Sequence, residues 1–394
     1  MKMKTFLGAL LVGGTALGAG MLALPLATAG AGLFPSWIVY FLTWLFSIAT
    51  GLLFVEIGLW LPRNANIVSM SKTLLGNQGK WIAWALYIFL FYSLTVAYIA
   101  GGGRFVSNFL NLKASSEIGI LLFVSIFGLV VYLGTRIAGK VNAVLMGGLI
   151  LSYLGFVVFG LEKIKFSMIQ LFGSKGAILG FPVIFTSFSY QGTVPTLLEY
   201  LKRDVKKTKS AIIFGTSIPF VAYIIWDLII KGIIPVEGAN GLIAAREAGI
   251  SAVEPLKFFL SNSNIAVIGS FFAFFALTTS FIGVTLGLFD FLIDSLNLDR
   301  TLSNKSFLAL LVFVPPTFIA FLNPKIFVSA LGYAGGFGCA LLLGFMPIWM
   351  VWVGRYKKKF PNQQIVLPGG KALLVGLLVF VFFEIAVQVY SQFI

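Results

Sequence analysis

The chain has 394 residues, 59% of them hydrophobic and 10% charged, with a mean hydropathy of +1.00. That balance excludes an ordinary soluble protein and predicts an all-α membrane protein whose core is the helix bundle itself. The formal net charge of +15 would suggest nucleic acid in a soluble protein; here it reads as Lys and Arg gathered in loops on one side of a membrane.

In chain order, spans are expected at about 5–29, 33–61, 80–108, 117–135, 140–161, 175–200, 209–235, 264–298, 305–322, 325–355 and 371–393, eleven in all. The first run follows Lys2 and Lys4 like a signal peptide. It lacks a short apolar region with a cleavage site, so it is expected to be a retained helix. Its middle reads Gly13-Gly14-Thr15-Ala16-Leu17-Gly18-Ala19-Gly20, followed by Met21-Leu22-Ala23-Leu24-Pro25. The sixth run is interrupted in the same way, at Phe185-Thr186-Ser187-Phe188-Ser189-Tyr190-Gln191-Gly192-Thr193-Val194-Pro195. Glycine, hydroxyl and proline residues unwind a helix, and freed backbone groups survive at membrane depth only where they line a cavity or meet a ligand. Glycines also let helices pack closely, which suffices for Gly8 or Gly51 but not for two matched clusters.

With the N-terminus inside, the basic residues favour the inner side by about two to one. The inner set includes Lys2, Arg300 and Lys359; the outer set includes Lys113 and Lys175. This predicts a cytoplasmic N-terminus and a periplasmic C-terminus. Residues 1–161 and 162–355 then form two five-span units, the second inverted, and 356–394 form a loop and an eleventh, peripheral helix. Within the second unit, 238–262, ending at Ser261 and Asn262, is too polar to cross and is expected to cap the outer face.

Paired broken helices in corresponding positions of two halves point to a secondary transporter with a site at the membrane midplane. Unwinding at Gly14–Gly20 exposes N–H groups where the second half begins and carbonyls where the first half ends. A zwitterionic amino acid needs both. The residues expected around it are Thr15, Ala16, Gly18, Ala19 and Gly20 from the first break. The second offers Thr186, Ser187 and Gly192, with Phe188 and Tyr190 as an aromatic wall and Gln191 as a polar contact.

The strings Gly14-Thr15-Ala16-Leu17-Gly18-Ala19-Gly20-Met21-Leu22-Ala23-Leu24-Pro25, Phe181–Phe188 and Ser280–Asp290, with Glu56, Pro62 and Leu75-Gly76…Gly79, resemble the bacterial hydroxy/aromatic amino acid permeases, the tyrosine- and tryptophan-specific transporters. The departure is Ser189-Tyr190-Gln191-Gly192-Thr193, where a glycine–aromatic–histidine pattern is expected. It bears on side-chain selectivity, not on the class. The resemblance implies a LeuT-like fold of eleven helices with inverted five-helix repeats, within the amino acid–polyamine–organocation superfamily. It implies import of an aromatic amino acid, tyrosine first with tryptophan or another neutral amino acid as the alternative, across the bacterial inner membrane. It also turns the third helix, with Tyr92, Ser93 and Tyr98, toward the site.

The family implies proton symport. In sodium-coupled members of the fold, a hydroxyl pair like Thr278-Thr279 and carbonyls like those of Gly14 and Leu17 would hold Na⁺, so sodium coupling stays open. Glu56, Asp290 and Asp294 are expected at an inner gate, either in ion pairs or as proton carriers. Asp227 and Lys231, at i and i+4, are expected to neutralise each other; Arg104 is expected to snorkel; Glu384 has no evident partner. The chain has no histidine and one cysteine, Cys339, so an enzyme with a histidine base, a resident metal or a disulfide framework is not expected. No cofactor is expected. The partners are the amino acid, H⁺ or Na⁺ and lipid, with one chain sufficient and no nucleic acid. A channel would need rings of charge or carbonyls, and none stands out.

Overall fold

The interruptions at 17–18 and 188–190 set the course of the backbone. The structure is a computed structural model and describes residues 3–63, 65–112, 116–173, 176–260, 264–296, 298, 301–358, 360 and 364–393. Lys2, Lys113, Lys175, Arg300 and Lys359 of the charge sorting, and Ser261 and Asn262 of the expected cap, lie outside these. All regular structure among the described residues is helical. The first interrupted segment is α1 (Met3–Ala16) followed, past a short 3-10 turn, by α2 (Leu24–Ala27). Next come α3 (Leu33–Trp60), α4 (Ile67–Phe109), α5 (Ser116–Tyr132) and α6 (Thr135–Leu161). The second interrupted segment is α7 (Phe181–Ser187) and α8 (Val194–Tyr200). Then follow α9 (Val205–Ile233), the short α10 (Leu242–Glu247) and α11 (Leu256–Phe259), α12 (Asn264–Leu296), α13 (Leu302–Leu322), α14 (Phe327–Lys358) and α15 (Gly370–Tyr390).

Eight of these helices are long and apolar enough to cross a membrane, and α1 and α5 are shorter apolar helices. The chain is a multi-pass membrane protein. Helix starts follow ordinary capping. The Asn66 side chain accepts from the Ser69 N–H while the Ser69 hydroxyl accepts from the Asn66 N–H, and Asp204 accepts from the Lys207 N–H. The turn expected near Leu75–Gly79 is a kink within α4, where Gly76 has φ +78°, a left-handed conformation that only glycine adopts at low cost. Over Ala334–Phe345 the hydrogen bonding of α14 widens to the π pattern, and α7 lies against that stretch.

Long-range contacts sort the loops onto two faces. On one, Arg355 pairs with Glu56, Arg203 donates to the carbonyls of Gly58 and Leu61, and Lys209 donates to that of Val366. Lys358 donates to the Thr73 carbonyl there as well. This is the basic face. On the opposite face Arg104 pairs with Glu254, the Gly173 N–H donates to the Ala31 carbonyl, and the Lys165 N–H donates to that of Gly232. The segment carrying α10 and α11 contacts the second half of the first broken helix, where the Ala252 N–H donates to the Leu22 carbonyl.

Candidate functional site

The two interruptions meet. Gly20 lies so close to Ser187 that a Cβ on it would fall 2.5 Å from the Ser187 Oγ and 3.1 Å from its Cα. Gly18 is extended (φ −169°, ψ −157°), and a Cβ there would sit 2.4 Å from the Ser280 Oγ of α12. The Ala19 N–H donates to that same Oγ at 3.0 Å, and the Tyr98 hydroxyl of α4 lies by the Ser280 side chain. A single phenol spans both breaks. The Tyr223 hydroxyl of α9 lies 2.6 Å from the Ala16 carbonyl oxygen and 2.8 Å from that of Ser187. It has one proton, so it donates to one carbonyl at a time and leaves the other open to a second donor. Phe188 is buried and stands edge-on to the Tyr223 ring, with centroids 5.0 Å apart.

Other residues of the second break bond within it or to α3. Thr186 Oγ1 donates to the carbonyls of Leu331 and Pro182, Ser187 Oγ to Val183 O, and Ser189 Oγ to Thr186 O. Tyr190 and Gln191, expected as wall and polar contact for a substrate, instead face α3. The Tyr190 hydroxyl donates to Ser47 O at 3.1 Å. The Gln191 amide donates to Thr50 Oγ1, and its oxygen accepts from the Tyr190 N–H. Tyr92 points away as well, donating to Leu311 O of α13, while Ser93 is half-buried beside it. The Thr15 hydroxyl turns back onto Leu11 O. Gly192 faces open space.

Two cavities approach this centre from opposite faces. The larger, about 800 Å³, is lined by Lys72, Lys80, Glu199, Asp290 and Asp294 of the basic face and reaches Gly192 and Gly287. The smaller, about 310 Å³, is lined by Asn108, Glu254 and Lys257 and reaches Gly101 and Leu277. Gly287 and Leu277 flank Ser280 along α12 by seven and three residues, about 10 and 5 Å of helix. The residues between the cavities are therefore those of the breaks.

Buried charges brace both ends. Glu56 accepts from Arg355 at 2.6 and 2.7 Å and from the N–H groups of Val366 and Leu367, so its carboxylate is fully occupied as an ion pair rather than standing free as a carrier. Lys231 donates to Asp227, Thr28 and Ser36 at 3.0, 3.0 and 2.8 Å, the neutralised pair expected from the spacing. Arg104, with its side chain about a third exposed, and Asn108 both donate to Glu254, at 3.2 and 3.1 Å, tying α4 to the segment over the smaller cavity. On α12 the Thr278 hydroxyl is buried without a hydrogen-bond partner among the described residues, whereas Thr279 donates to Phe275 O. Gly14 faces the methyl end of Met146 on α6, and the Leu17 N–H donates to Gly13 O.

Sequence reasoning missed Tyr223, which joins the breaks, and the role of Ser280, which caps the first. Ser280 opens the Ser280–Asp290 string and was visible in that sense. Tyr223 is one aromatic among many in an apolar helix, and only its placement distinguishes it.

The chain is similar to a tryptophan-specific transport protein of Haemophilus influenzae (30% identity, covering 97% of this chain and 94% of that protein). It is also similar to tyrosine-specific transport system 1 of the same organism (33%, 95% and 94%) and to the low affinity tryptophan permease of Escherichia coli (30%, 96% and 94%). Among solved structures it resembles the Eremococcus coleocola manganese transporter at a TM-score of 0.62 and 13% identity, covering 98% of this chain and 85% of that one, a likeness of fold alone. The tryptophan/tyrosine permease family model matches residues 1–388. This is a family of transport proteins, not enzymes, and the chain belongs to it.

Proposed function

We propose that this chain imports an aromatic L-amino acid, tyrosine first, by proton symport with alternating access across the bacterial inner membrane. On this reading eleven spans cross the bilayer, with 1–161 and 162–355 as inverted LeuT-like repeats and 356–394 as a loop and peripheral helix. The basic face is cytoplasmic, placing the N-terminus inside and the C-terminus in the periplasm. The observation that carries the reading is the junction of the two breaks by Tyr223, with a cavity approaching from each face. An ammonium group supplied by a ligand would take the carbonyl that Tyr223 leaves open, and a carboxylate would meet the N–H groups that start the second half of the first helix. The names of the relatives support tryptophan or tyrosine as cargo.

The orphan Thr278 hydroxyl favours a second reading, sodium coupling, because a hydroxyl oxygen is a hard ligand suited to that ion. Labelled tyrosine uptake into proteoliposomes, with an inward proton or sodium gradient imposed separately, tests both. Accumulation under the proton gradient alone is expected; accumulation under sodium alone would replace the proposal with the second reading. Accumulation of tryptophan but not tyrosine would change the cargo and leave the mechanism.

A further inference from the structure

Glu384 lies in α15 with no exposed surface, and among the described residues neither of its carboxyl oxygens has a hydrogen-bond partner. Among the described residues the surroundings offer no countercharge. α7, which packs against α15, carries no titratable side chain, and its Phe181 meets Phe380 and Phe383 on either side of Val381. From α3, Phe46 stacks on Phe380; of that helix's titratable groups, Glu56 is bound to Arg355 and Tyr40 lies beside Thr28. On α14, Tyr333 donates to Gln392, and Arg355, Tyr356, Lys357 and Lys358 stand sixteen or more residues beyond Cys339, about 24 Å of helix. On α15 itself Lys371 and Tyr390 sit at the ends. Among the described residues its ionisable neighbour is Cys339 of α14, which interacts electrostatically with the Glu384 carboxyl and lies by the Ser189 side chain.

An ionised carboxylate buried without a donor costs several kcal/mol or more, so in this arrangement the group is the neutral acid. A leucine or glutamine would fill the same volume without requiring a proton. The acid is also connected. Glu384 interacts electrostatically with Cys339, which lies by Ser189, and the Ser189 hydroxyl donates to Thr186 O at the end of α7, the edge of the second break. We propose that Glu384 is the side chain that carries the coupling proton. Its carboxylate takes one proton while the site is open to the face opposite the basic one, which lies about 9 Å away at Tyr390, six residues on. As the neutral acid it tolerates the dry surroundings seen here. It releases that proton when the second break, moving as a unit with its shape kept, carries Ser189 away from Cys339 and wets the site from the other side.

This inference rests on the proton-symport reading, and the full chain in proteoliposomes separates the two. Wild type and Glu384→Gln are compared for proton-driven accumulation of labelled tyrosine and for tyrosine exchange with no gradient. Glu384→Gln is expected to lose accumulation by more than about tenfold while exchange stays within about twofold, because an amide packs like the neutral acid but carries no exchangeable charge. Glu384→Asp, which keeps the acid, is expected to regain proton-driven accumulation to within about threefold of wild type. Wild-type accumulation by Glu384→Gln would overturn the assignment and leave proton symport standing. Loss of exchange in both variants would give Glu384 a packing role and overturn it as well. A wild type driven by sodium alone would overturn both readings.

Discussion

The first break is held by other helices, and the second is held largely by its own residues. At Leu17–Gly18 the chain has glycines and no polar side chain of its own to offer, so its exposed groups are met from outside: Ala19 N–H by Ser280 and Ala16 O by Tyr223. At Phe188–Tyr190 the hydroxyls of Ser187, Ser189 and Thr193 bond to backbone within a turn, and Gln191 bonds back to Tyr190 N–H. A break satisfied from within keeps its shape whatever surrounds it. A break satisfied by two side chains on different helices changes its bonding whenever those helices move, or whenever a ligand offers better partners. The first break is thus suited to sense occupancy, and the second to serve as the firmer surface against which it closes.

Filling the first break is the severest way to test that contrast. Gly18→Leu would drive a branched side chain into Ser280, whose Oγ already stands 2.4 Å from where the Cβ would be. Uptake is expected to fall more than about a hundredfold, a barrier change of ~2.7 kcal/mol or more, with membrane level by immunoblot little changed. Gly192→Ala, at the end of the second break where an added Cβ meets nothing within 4 Å, is the matched control and should transport within about twofold of wild type. Near-normal uptake by Gly18→Leu would mean that the first break lies outside the transport path.

Removing the shared cap is gentler. Tyr223→Phe keeps the ring against Phe188 and deletes only the oxygen that lies between Ala16 O and Ser187 O. One buried carbonyl then loses its donor at a cost of about 1–2 kcal/mol, so uptake at subsaturating substrate should fall about tenfold. If the hydroxyl aligns the two carbonyls for an ammonium group, the loss appears mainly in the apparent affinity for amino acid rather than in maximal rate. An unchanged affinity would make Tyr223 a packing residue.

The placement of both breaks was legible because helix disruption is a local property of composition: glycines at 13, 14, 18 and 20, and hydroxyls with Gly192 and Pro195 in the sixth segment. The Asp227–Lys231 pair was legible because i,i+4 neighbours share a helix face. What was not legible is how each helix is rotated about its axis once packed. Glu56 meets Arg355 across 299 residues, and Arg104 meets Glu254 across 150, distances at which no sequence period reports proximity. The same limit hid the partners of Tyr92, Tyr190 and Gln191. In a chain this apolar, polar side chains look like site residues until it is known which neighbouring helix they face, and in these three cases α13 or α3 accounts for them.

Gln191 therefore carries the smallest and most discriminating prediction. Its side chain does the work of backbone: the oxygen accepts the Tyr190 N–H and the nitrogen donates to Thr50, fastening the second break to α3. Gln191→Ala leaves one N–H without its acceptor and one hydroxyl without its donor, worth about 1 kcal/mol for an interhelical contact in a membrane protein. Melting in detergent should shift down by a few degrees and uptake by roughly threefold or less, while the ranking of tyrosine, tryptophan and phenylalanine in competition assays stays as in wild type. A changed ranking would show that the amide leaves Thr50 during the cycle and reaches the substrate. The second break would then be no firmer than the first.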